Sequence, residues 1–219
     1  MDDFNQRMAE ALVVEPLRKL NQSLEASQRV EISAHLGPVL YFAMIGLGFL
    51  LVEIAVLQRY FTFLGHPTYA LSVVLFSLLL SSGLGSSLSP RVSDPRVPLG
   101  LILFLGLATA FGVPPLLQGL QGLGLWARFG VGAALVAPLG LCMGMMFPMG
   151  VRKLREEGLV DLVPWLWCVN GIAGVMASAG GMLLAVSHGY TVTLLVGCGC
   201  YLMVGIAAMR PWGTKLAAA

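Results

Sequence analysis

The 219 residues are 57% hydrophobic and 11% charged, with 27 glycines, 12 prolines and a net charge of +2. Soluble domains carry about 25% charged residues, and apolar stretches of about 20 residues cross bilayers, so the chain is expected in a membrane rather than in water. The small net charge, with no basic groove interleaved with aromatics, argues against a nucleic-acid partner.

Residues 1–35 are the one polar segment. Phe4, Met8, Ala11 and Leu12, then Leu17, Leu20 and Leu24 beyond Pro16, recur at helical spacing, which predicts two amphipathic helices lying on the membrane or on a partner domain. The segment has no apolar core of a secretory signal. Six spans are predicted after it, at about 38–64, 68–89, 97–117, 126–150, 164–187 and 190–209. Gly65-His66-Pro67 ends the first span, Pro90 ends the second, Pro114-Pro115 bends the third, and Pro138 and Pro148 interrupt the fourth. Together residues 36–212 make a six-helix, all-α, polytopic membrane domain, and 213–219 form a tail with the look of a vector scar.

Of 13 Lys and Arg, Lys215 falls in that tail and Arg59 and Arg128 on one side of the spans; the remaining ten fall on the other, with both termini. The excess predicts that the termini are cytoplasmic. Small residues are spaced by four in the second span (Ser77, Ser81, Gly85, Ser89) and the fifth (Asn170, Gly174, Ser178), which predicts faces buried against other helices. Cys142, Cys168, Cys198 and Cys200 all sit in apolar runs, where thiols act as small apolar packers.

Chemistry concentrates in the first span and its exit. Glu53 is the one acidic residue inside a long apolar run. It lies about 22 Å along the helix from Pro38, in the outer half of the bilayer. A carboxylate at such depth costs about 2.5–3.5 kcal/mol on insertion scales, so it needs a partner from another span, a cation, a proton or a wet cavity. Arg59 is six residues on and about 120° round the helix, too far round for an ion pair with Glu53. Gln58, Arg59, His66 and Tyr69 cluster after Glu53, and Asn170 is the second polar residue within a span. Asn170 can cross-link helices or coordinate a substrate, while His66 suits a cap or turn beside Pro67. His66 and His188 both fall at outer span ends, the only basis for a haem or metal alternative. No nucleotide loop or transferase motif is present, and no catalytic residue, metal ligand set or cofactor is predicted.

Gly48–Ser86, Leu139–Arg152 and Leu162–Gly171 carry a resemblance. The stretch from Pro38 to Met209 resembles the carboxy-terminal membrane region of bacterial fused proteins that join membrane helices to a spermidine-synthase-like domain. The resemblance implies that Glu53, Gln58, Arg59, His66, Tyr69 and Asn170 occupy signature positions, and that the protein is a multi-pass protein of the bacterial inner membrane. The transferase-like domain has no counterpart here, so the chain is either a stand-alone relative or a piece whose residues 1–35 led from that domain. The function expected is that of a membrane partner admitting a small cationic or amphipathic substrate near Glu53 for a cytoplasmic transferase-like domain, without catalysis of its own. The alternative is a small oligomeric transporter or channel with Glu53 as its proton or cation site.

Overall fold

A computed structural model describes Glu15 and residues 36–212; the amphipathic helices expected over 1–35 and the tail from 213 lie outside the described residues. The described residues form no strand, and six of their helical segments are long and apolar enough to cross a membrane.

Helix α1, Leu36–Leu64, runs unbroken because its one proline, Pro38, sits in the first turn, where a backbone donor is dispensable. Gly65 ends it in the left-handed region at φ 76°, a conformation that glycine adopts without steric cost. His66 then caps α2, Pro67–Leu88, its Nδ1 accepting from the Thr68 amide at 3.2 Å, with Pro67 at the first helical position. A 3-10 turn, Ser89–Arg91, finishes that span around Pro90.

The third span is composite: α3 (Arg96–Leu107), a π-helical turn (Ala108–Gly112) and α4 (Val113–Gly119). The expected bend at Pro114-Pro115 thus takes the form of a widened turn before the prolines, in which the Val113 amide reaches five residues back to Ala108. Helix α5, Leu125–Glu156, passes through Pro138 and Pro148 without the expected interruption. It also continues six residues past Gly150, because buried Leu154 anchors the last turn and Lys153 and Arg155 suit a helix C-terminus. Helices α6 (Val163–His188) and α7 (Tyr190–Met209) are separated only by Gly189, at φ 85°.

Helix α1 is the axis of the bundle: α6 and α7 pack along it, α2 and α5 touch it from the other side, and α2 lies along α5. The α2–α5 seam brings backbones together. Ser77, Ser81, Gly85 and Ser89 are all buried, and a Cβ on Gly85 would strike the Leu141 carbonyl. Gly144 meets the Ser82 backbone in the same way. On α6 the buried stripe is Leu166, Ala173, Gly174, Ala177, Gly181 and Ala185. Of the small-residue face expected there, Gly174 is buried, Asn170 half-buried and Ser178 exposed, because α6 turns that edge away from α1.

The start of α1 meets the stretch that follows α7. Trp212 packs its ring edge-on against Tyr41 at 5.0 Å and beside Gly37, and its indole N–H donates to the Ala207 carbonyl at 2.8 Å. We call this the terminal end.

Candidate functional site

Helices α2 and α6 flank α1 and α5 without packing along each other, and the gap between them is a cleft of about 570 Å³. Gly46 and Phe49 of α1 and Met143 of α5 floor it; Ser82 of α2 and Asn170 and Ser178 of α6 wall it. Its rims are apolar and open sideways, with Leu79 62% and Val175 72% exposed, so its mouth faces lipid rather than an aqueous end.

Asn170 is held where α1 and α6 come closest. Its side-chain amide donates to the Phe42 carbonyl at 2.9 Å, and Gly46 lets the Asn170 backbone approach. The carboxamide therefore cross-links two helices while lining the cleft. The cleft's two serines turn their hydroxyls back on their own helices, Ser82 to Leu79 at 3.0 Å and Ser178 to Val175 at 2.8 Å. Their lone pairs are left toward the cavity.

Glu53 stands one helical turn outward from Phe49 and Leu50, on the α1 face that floors the cleft. It is half-buried and makes no hydrogen bond or ion pair with any described residue. Gln58, a turn further out, reaches among the described residues only the Met182 sulfur of α6, at 3.8 Å.

Arg59 turns away from Glu53, as the helical offset requires. One guanidinium nitrogen donates to the Thr109 and Ala110 carbonyls at 2.5 and 2.9 Å, and the other to Thr191 Oγ1 at 2.7 Å. In the register that Val113 sets, the next two amides would bond to Thr109 and Ala110, but those positions are Pro114 and Pro115 and have no N–H. Arg59 supplies the two missing donors. His66 and Tyr69 lie elsewhere again: His66 caps α2 and packs on Tyr69 at 5.5 Å, and Tyr69 meets Phe129, which meets Trp126. Trp126 is 83% exposed, as befits an interfacial aromatic belt.

The six residues singled out in the sequence therefore fall into distinct places. Glu53 and Asn170 belong to the α1 face and cleft, Gln58 to the α1–α6 seam, Arg59 to the third span, and His66 and Tyr69 to the belt. Sequence reasoning missed Thr109, Ala110 and Thr191 as partners of Arg59; the Pro114-Pro115 pair, which strips two carbonyls of their donors, was the available signal. His188 lies with Nδ1 2.7 Å from Ser187 Oγ, and among the described residues no three His, Cys, Asp or Glu gather as metal ligands.

Fold and site together define a multi-pass helical membrane protein with a side-opening cleft. Comparison with protein-family models, with curated proteins and with solved structures finds no match to the chain.

Proposed function

We propose that the chain is a membrane-embedded binding module that admits an amphipathic cation, of the amine class, sideways from lipid into the α2–α6 cleft. Glu53 is the counter-charge and Asn170 and the cleft serines are neutral acceptors. The observation that carries this reading is Glu53 itself. A half-buried carboxylate with no partner among the described residues, beside an apolar cavity, is a costly arrangement that a bound cation relieves. The amine class draws on the resemblance to spermidine-synthase-like membrane regions, which also makes a cytoplasmic transferase-like domain the expected recipient. The basic terminal end then faces the cytoplasm of a bacterial cell and Glu53 the outer leaflet.

The test is thermal melting of the full chain in neutral detergent, with spermidine or a long-chain alkylamine added to wild type and to Glu53→Gln. Wild type is expected to melt higher with amine, and Glu53→Gln to melt at the same temperature with and without it. A wild type indifferent to both amines, or a variant that responds equally, overturns the reading.

A further inference from the structure

Toward the terminal end Phe147 lines both the cleft and a second cavity of about 500 Å³, formed with Ser86, Pro90, Val151, Arg152 and Arg155, so the two hollows adjoin at this residue along α5. Phe147 also leans on Trp167 of α6, with ring centroids 5.9 Å apart, and Trp167 is 65% exposed, marking the interfacial depth.

The two arginines differ in what they touch. Arg152 is fixed, donating to the Ser89 and Val92 carbonyls at 3.3 and 3.0 Å. Arg155, three residues on and on the same side of α5, is exposed, and its guanidinium has no hydrogen bond or ion pair with any described residue. Among the described residues no carboxylate lines this cavity; Glu156 and Glu157 line a neighbouring one beside Trp212, which Arg152 also borders, and Asp94 accepts from the Arg96 amide at 2.9 Å. Two guanidinium groups, of which Arg155 has no side-chain partner among the described residues, thus stand beside an apolar trough that adjoins the bilayer-facing cleft at Phe147.

We infer that the paired cavities bind a membrane lipid with an anionic phosphate head group, the phosphate on Arg152 and Arg155 and one acyl chain running past Phe147 into the cleft. A free phosphate would use the cations alone. The trough of Phe147, Pro148, Val151 and Pro90 gives the ligand its tail, and basic pockets between helices at an interface suit such head groups. The lipid's tail shares the cleft with the amine proposed above, but its head group is held by other residues, Arg152 and Arg155, well away from Glu53.

The experiment measures displacement of a fluorescent-tailed phosphatidylglycerol from the full chain in neutral detergent. Unlabelled phosphatidylglycerol should displace it, phosphatidylcholine poorly, and glycerol 3-phosphate not at all at matched concentration. Arg155→Gln, which breaks no side-chain hydrogen bond or ion pair among the described residues, should weaken binding about fivefold, whereas Arg210→Gln at the same end should not. Gly171→Leu should weaken it as well, because position 171 lines the cleft and a Cβ there meets nothing within 4 Å, so the variant fills the chain's path without straining the fold. Glu53→Gln should leave lipid affinity unchanged, which keeps this result independent of the amine reading. Equal loss in Arg155→Gln and Arg210→Gln would reduce the effect to general surface charge and overturn the site. Displacement by glycerol 3-phosphate, or full affinity in Gly171→Leu, would overturn the lipid as its ligand.

Discussion

Cations near the membrane in this protein serve backbone carbonyls more than carboxylates. Arg59 satisfies the two acceptors that Pro114 and Pro115 leave bare; Arg128 reaches the carbonyls of Leu123, Phe63 and Gln121, binding the end of α1 to the loop before α5. Lys153 does the same for Ala208 and Arg210 at the end of α7. In lipid such acceptors have no water to turn to, so the geometry matters more than the charge. Arg59→Met should therefore lower stability by about 1–3 kcal/mol. The loss should shrink in a Pro114→Ala, Pro115→Ala background, where the helix regains its own donors. Chemical denaturation of the four proteins as a double-mutant cycle checks this, and strictly additive losses would show that Arg59 does not stand in for those donors. The sequence marked Arg59 as unusual and excluded Glu53 as its partner by helical offset alone. Its actual partners lie 50 to 132 residues away and depend on how the third span distorts, which spacing along α1 does not contain.

At the scale of elements, close approach is confined to particular glycines. Gly85 faces the Leu141 carbonyl across the α2–α5 seam, while Gly83, two residues earlier, has nothing within 4 Å of where a Cβ would stand. Gly85→Ala should cost about 1–3 kcal/mol through forced separation of the two helices. Gly83→Ala should cost nothing measurable, and melting curves of the two variants in detergent compare them directly. Equal stability would mean that α2 and α5 do not meet as described. The seam was legible because Ser77, Ser81 and Gly85 of α2 and Ser89 just beyond it, spaced by four, are all buried, with Ser81 and Gly85 against α5. The matching pattern on α6 was legible only in part: spacing identifies an edge that permits approach, but whether a helix occupies it depends on α2 and α6 staying apart. Hence Ser178, read as a packing residue, came to line a cavity.

For the whole molecule, span number and approximate limits followed from the length of apolar runs, and the all-helical architecture with them. The placing of α1 at the centre did not, since every span is apolar enough to be interior and neighbours are chosen by side-chain fit. Membrane orientation is a property of the whole bundle too, and it has a direct test. With single cysteines at Gly122 and Asp161, both in connections between spans, an impermeant thiol reagent on intact cells should label only the first. Labelling at 161 alone would invert the topology. The seating of Trp212 against the start of α1 has a mechanical consequence. That residue holds the chain's exit with an indole ring against Tyr41, a backbone amide on the Glu157 carboxylate at 2.6 Å, and the Lys153 ammonium 4.5 Å above the ring. Traction on whatever follows position 212 is thus shared among α1, α5 and α7 before any one of them can peel from the others. In single-molecule extraction from the terminal side, the first rupture should be one large event at the indole, and Trp212→Ala should split it into smaller steps, with α7 leaving first.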